Sequence, residues 1–494
     1  MPTDDDIDEI KERQICFNCV GENFLKDQIA KQGSHGSCSY CDGKAECYSI
    51  GKLSDLIETA FEHHYCRTSN EPTSFQYAML KDKESNNDWE RDGKPVVDAI
   101  MNAADIREKA ASDIQKILED KFSDFDSDAA GEETEFSSDS HYERRPTNDS
   151  QWQSAWRDFK NSLKTETRFF SRSASRLLVS VFDGIDKMQA QDGRLMIVDA
   201  GPGKTLQAVY RARCFQWNEK LEAALAQPDK HLGSPPSAHA HAGRMSAHGI
   251  SVFYGANDPM VALAEIRPPV GSTVVVARFD IIRPIRLLDL TALNHISPSG
   301  SIFDPTFIEL LERTMFLRTL SGRITAPVMP EHEMFEYLPT QAIADFLASE
   351  SDPTLDGILY PSVQVAGDGR NIVLFHKSAR VAAIELPEGT EVSASLGEWG
   401  DEGHWEDDYS VIEKTPFKER ETKKWESPLR KNLADLPYTE LAEIDYHRVD
   451  RDARSPTLRI DLESLRVHDV SAVQFRTSEF PVHRYRTETT KPKF

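Results

Sequence analysis

The feature that most constrains this chain is a change of hydrophobic period near Leu195. Ahead of it, apolar residues recur at three- and four-residue spacing. Leu53, Leu56, Ile57, Ala60 and Phe61 form one stripe, and Ile100, Ala104, Ile106, Ala110, Ile114, Ile117 and Leu118 form another. A third runs from Trp152 to Ile185. That spacing lines one side of a helix and predicts packed helices. Behind Leu195 the pattern becomes short apolar runs: 195–198, 206–210, 252–254, 273–277, 287–290, 357–360, 372–375 and 381–384. Runs of this length, rich in Val, Ile, Leu and Tyr, predict β-strands. Helical stretches at 258–266, 304–320 and 339–349 lie between them, with Asn257 as a cap and Pro259 at an early helical position. The second half therefore reads as an α+β domain over 195–386, behind a helical domain over 51–120 and 151–190.

The first fifty residues carry Cys16-x2-Cys19 and Cys38-x2-Cys41, eighteen residues apart. Each knuckle can turn two thiolates toward one point, and two knuckles complete a tetrahedral zinc site. Residues 1–50 are expected to form a structural zinc module on Cys16, Cys19, Cys38 and Cys41. His35 and Cys47 are nearby alternative ligands, and four unligated thiols are the plain alternative. Four cysteines leave no open position for catalysis. His63, His64 and Cys66 are read as solvated side chains, because neighbours on a helix point apart.

A net charge of −24 argues against non-specific binding to nucleic acid or anionic membranes. No apolar run is long enough to span a bilayer, and the acidic start lacks a secretory signal. Seven cysteines, an odd number, fit a reducing cytoplasm better than a secreted disulfide framework. Residues 121–150, rich in Asp, Glu and Ser, read as an acidic mobile linker. Residues 387–494 form a C-terminal extension with no motif.

Gly201-Pro202-Gly203-Lys204-Thr205 resembles the end of a phosphate-cradling loop. The full pattern needs a glycine where Val198 stands and a helix afterwards, so a β-turn is the better reading. Chemistry concentrates between Tyr210 and Ser362. Strand alternation sends Tyr210 and Arg211 to opposite faces, and a cation aimed into a cleft suits a pyrophosphate. Arg213 shares Arg211's face, where a surface salt bridge is the plain alternative. Arg244 follows a glycine in a loop. Tyr254 can stack on a flat ring or fill a core. Glu265 ends an otherwise apolar helix, and Ser362 follows Tyr360-Pro361.

Read in order, Tyr210-Arg211, Gly243-Arg244-x-Ser246, Phe253-Tyr254-x-Ala256, Ala262-x-x-Glu265-Ile266-Arg267-Pro268, Asp289-Leu290-Thr291, Gly357-Ile358-x-Tyr360-Pro361-Ser362 and Asn371-Ile372-Val373-Leu374-Phe375 resemble the RES domain, over roughly residues 195–385. The front half is similar to the zinc-knuckle and helical region fused to some RES and HEPN proteins. The resemblance implies a bent, split β core similar to ADP-ribosyltransferase toxins, NAD as substrate, and cleavage of its nicotinamide–ribose bond by water or inorganic phosphate. It further implies a toxin or defence effector with an antitoxin or regulatory protein as partner; a homo-oligomer stays open. Carried over, the family residues fall on Arg211, Glu265 and Ser362 as catalytic, and on Arg244, Tyr254 and Tyr210 as substrate-binding. Met245-Ser246 departs from the aromatic and Asn that many members carry after Gly-Arg. A mono-ADP-ribosyltransferase and a non-catalytic nucleotide-binding module are the alternatives.

Overall fold

A computed structural model describes residues 4–80, 89–124, 132–166, 168, 170–365, 367–399, 404–416, 452–474, 479–482 and 484. The centre of the expected acidic mobile linker, 125–131, lies outside the described residues, but 132–150 departs from that reading: Phe136 and Tyr142 are buried in the helical unit's core, and strand His141–Arg144 pairs with Tyr65–Arg67. The chain divides into two compact units: residues 1–195 with 292–326, and residues 196–291 with 327–494.

The first unit is mainly helical. The stripes predicted from sequence are its core: Leu53, Ile57, Ile100, Ile114 and Leu118 are fully buried. Each such burial contributes roughly 1.5–3 kcal/mol. The second stripe is divided between two helices, Val96–Ala104 and Glu108–Phe122. Asp105 breaks it by taking a left-handed conformation, with φ 50°, and its N–H bonds back to Met101. Aspartate tolerates this region better than the β-branched residues around it. Trp152 and Trp156 of helix Ser150–Thr165 pack on Phe316 of helix Phe307–Thr325. His64 differs from the solvated reading: it is 6% exposed and lies against Phe307, and burial pushes its imidazole down to about 4.

The four expected zinc ligands come together in this unit. Cys16 and Cys19 flank a short 3-10 turn, and Cys38 and Cys41 follow strand Ser34–Ser37. Their four Sγ atoms lie within 4.8 Å of one another. The Cys16–Cys41 and Cys19–Cys38 separations are 3.6 and 3.8 Å. Four zinc–sulfur bonds of about 2.3 Å in a tetrahedron need an edge of about 3.8 Å, so the cluster fits zinc. Cys47 is turned away, its thiol on the Ala45 carbonyl at 3.3 Å. His35 is exposed and faces Glu46.

The second unit is built on an eight-stranded mixed sheet among the described residues. Its strands are β1 (Ile197–Ala200), β2 (Ala208–Phe215), β3 (Phe253–Ala256), β4 (Thr273–Ile281), β5 (Ile285–Asp289), β6 (Gly357–Pro361), β7 (Arg370–Leu374) and β8 (Leu458–Asp469). Their order is β8-β4-β2-β3-β7-β6-β5-β1, and only the β5–β6 pair is parallel. The predicted strand at 381–384 is reduced to one bridge, between Val381 and Leu458. The glycine-rich decoy is a turn after β1: Gly201 and Gly203 take φ of 123° and 75°, and Lys204 pairs with Asp199. No helix among the described residues is long and apolar enough to cross a membrane.

Alternation along the strands gives the sheet two apolar faces. Val209, Phe253, Val275, Phe279 and Ile372 join Leu221 and Leu225 of helix Asn218–Ala226 on one. Ala212, Ala256, Val274 and Val276 join Val261 and Ala262 of helix Pro259–Glu265 on the other. The β2–β3 pairing is the weak line of the sheet, with Tyr210–Ala256 as its single paired position.

Candidate active site

Past that pair, no ladder joins Arg211–Phe215 to Phe253–Gly255, and a cavity of about 370 Å³ opens there. Tyr210, Arg211 and Arg213 line it from β2, Tyr254 and Gly255 from β3, Ala262 and Glu265 from the helix, and Tyr360 and Asn371 from β6 and β7. This volume lies within the range of ordinary small-molecule pockets.

Arg211 follows Val209 onto the core-facing side of β2, and its guanidinium lies 4.8 Å over the Phe253 ring. The side chain keeps some exposed surface, but Nη1 is enclosed and has no hydrogen-bond partner. Burial, and then repulsion from Arg213, push Arg211 down to about 9, so it is cationic at neutral pH. A buried guanidinium with an unsatisfied N–H is expensive unless an anion meets it. Arg213 is also lowered by burial, and its Nη1 donates to the His231 carbonyl at 2.5 Å.

Glu265 is the last residue of a seven-residue helix. Asp258, not Asn257, caps that helix, accepting from Met260 N at 2.8 Å and Val261 N at 3.4 Å. Asn257 instead binds Arg370 through both backbone and side chain, tying the helix start to β7. The Glu265 carboxylate is held at its other end. Ser362 Oγ donates to Oε1 at 2.5 Å, and Asn371 Nδ2 donates to the same oxygen at 2.8 Å. The backbone N–H groups of Gln364 and Val365 donate to Ser362 Oγ, which turns its own proton toward the carboxylate. No protein hydrogen bond among the described residues reaches Oε2. Ser362 does not line the cavity and reaches the site through Glu265.

Tyr254 Oη accepts from the Met245 N–H at 3.1 Å. Burial raises the Tyr254 hydroxyl above its usual range. The glycine of Gly243-Arg244 is required by this packing, since a Cβ on Gly243 would stand 2.7 Å from Tyr254 Oη. The turn is pinned by helix Leu338–Ser349: Gln341 donates to the Gly243 and Ser246 carbonyls, and Thr340 to that of Arg244. The Arg244 guanidinium lies 5.3 Å from the Tyr337 ring centre and does not line the cavity. Tyr210, Arg211, Tyr254 and Glu265 are thus brought to one cavity, Ser362 adjoins it, and Arg244 stands outside its lining. Asn371 and Arg213 were named from sequence, in a motif and on Arg211's face, but were given no role in the site. A polar residue heading the Ile372–Phe375 run was the signal for Asn371, and a second cation on Arg211's face was the signal for Arg213.

The family model for the RES domain matches residues 208–396, and that for the HEPN/RES N-terminal domain 1 matches residues 31–176. No curated protein and no solved structure matches the chain. By these two matches the chain is a RES-domain protein with a HEPN/RES N-terminal region, which associates it with NAD-acting, toxin-type enzymes.

Proposed function

We propose that this protein cleaves the nicotinamide–ribose bond of NAD, with water or inorganic phosphate as acceptor. One observation carries the reading: the enclosed, unpartnered Arg211 Nη1 and the anchored Glu265 carboxylate share one cavity. The scissile bond joins C1 of a ribose to a pyridinium nitrogen. The bonding pair leaves with nicotinamide, which departs neutral and needs no strong acid, and positive charge develops on the ribose. Glu265 Oε2, which has no protein donor, stabilises that charge and takes the proton of attacking water. The products are nicotinamide, ADP-ribose and a proton; with phosphate they are nicotinamide and ADP-ribose-1″-phosphate. Arg211 holds the diphosphate; Arg244, expected from sequence to share that role, lies over Tyr337 outside the cavity lining. The Tyr254 hydroxyl is occupied by Met245, so its ring is what it offers to nicotinamide or ribose. Tyr210 lines the neighbouring wall. Ser362 fixes the carboxylate's direction.

The test is nicotinamide release by the purified full chain, with and without inorganic phosphate. Glu265→Gln should lose most turnover while folding as the parent does. Parent-like turnover in that variant would overturn the assignment. NAD labelled in its ADP-ribose part separates the acceptors: free ADP-ribose, the 1″-phosphate, or label on a macromolecule if the chain is a transferase.

A further inference from the structure

Arg211 and Arg213 stand two residues apart on β2, so their side chains leave the same face about 7 Å apart along the strand. Both line the cavity; burial lowers both guanidinium groups, and Arg213 lowers Arg211 further. Among the described residues, no carboxylate is ion-paired with either. Arg213 is anchored by one backbone carbonyl, which fixes its position without neutralising it. Arg211 Nη1 has no partner. Two neighbouring like charges withdrawn from water without a counter-ion are strongly unfavourable. A strand that keeps both is suited to an anion with two negative charges, since a monoanion leaves one cation uncompensated. Phosphate oxygens also match the planar fork of guanidinium donors.

We propose that Arg211 and Arg213 form a subsite for phosphate carrying two negative charges, with Arg213 rather than Arg244 supplying the second cation. The phosphate is either the diphosphate of a dinucleotide or free inorganic phosphate. The reading of this cavity as an NAD site supplies that choice of ligands, and the subsite itself follows from the two arginines.

Calorimetric titration of the full chain with pyrophosphate, and separately with inorganic phosphate, at constant ionic strength tests this without any turnover. The wild-type chain should bind at least one of them. Arg213→Ala should weaken that binding about tenfold or more, the size of a lost charge-assisted contact. Arg213→Lys should recover part of the loss, and both variants should keep the parent's circular dichroism. Binding of pyrophosphate alone identifies the diphosphate as occupant. Binding of inorganic phosphate, competed away by pyrophosphate, identifies the acceptor. If neither ligand binds the wild-type chain, or if Arg213→Ala binds as the parent does, the subsite is refuted. Should Arg213→Ala fail to fold, a folded Arg213→Gln with unchanged affinity and an unchanged salt dependence refutes it equally. Anion binding without NAD cleavage would leave the subsite standing and the proposed reaction refuted.

Discussion

Replacing Asn371 with alanine should slow nicotinamide release by about ten- to a hundredfold, mostly in kcat. Asn371 is 6% exposed and donates one of the two hydrogen bonds that fix Glu265 Oε1. A hydrogen bond to a charged group contributes roughly 1.5–3 kcal/mol, and each 1.36 kcal/mol of barrier is about tenfold in rate. Ser362 still holds the same oxygen at 2.5 Å, which places the expected loss in the lower part of that range. Because Asn371 acts on the carboxylate, KM for NAD should move by less than about threefold. Asn371→Asp should be worse than Asn371→Ala, since it sets a second carboxylate where the amide lay 2.8 Å from Oε1, and like charges at that distance repel. Steady-state kinetics, with circular dichroism as a check on folding, read both constants. A folded Asn371→Ala with kcat within twofold of the parent, or a loss confined to KM, would refute the positioning argument.

Two further outcomes follow from the first unit. His64 has a folded pKa of about 4 against an ordinary 6.5, chiefly through burial and then the nearby Arg144, so the unfolded chain takes up its proton first as pH falls. Its contribution is intact above about pH 6.5 and is lost between 6.5 and 4, a loss of roughly 3 kcal/mol at most; His64→Phe should flatten that part of a denaturation series, and an unchanged slope would exclude His64 as the cause. The four-cysteine cluster should hold one zinc per chain, and chelation should lower the melting temperature of the first unit; elemental analysis finding no metal after growth with zinc would remove the site.

Much of the strand and helix pattern could be read from period alone, because the buried faces alternate as the pleat and the helix require. The failures have specific causes. Strand β2 extends to Phe215, beyond its predicted apolar run, because Arg211 and Arg213 interrupt the hydrophobic pattern while staying in the ladder with β4. The cap passed from Asn257 to Asp258, its neighbour, since both residue types suit the position and only the chain's path past Arg370 decides. Strand β8 was hidden in a charged tail, although Leu458, Ile460 and Leu462 alternate with Arg459 and Asp461. At the site, the order of motifs brought Tyr210, Arg211, Tyr254 and Glu265 together on paper. It could not tell that Arg244 lies over Tyr337, nor that Asn371 reaches Glu265 from a different strand. Those facts depend on side-chain direction across the sheet, which a linear pattern does not carry.

Strand β8 also bears on when the cavity is completed. It seats against β4, which in turn holds β2 and its arginines in register. During synthesis, β2 and β4 leave the ribosome long before Leu458–Asp469 is made, so β4 waits with one open edge and its apolar residues unsealed. A nascent chain in that condition has an incompletely supported cavity. Translation order thus delays assembly of the pocket until the late strand has emerged.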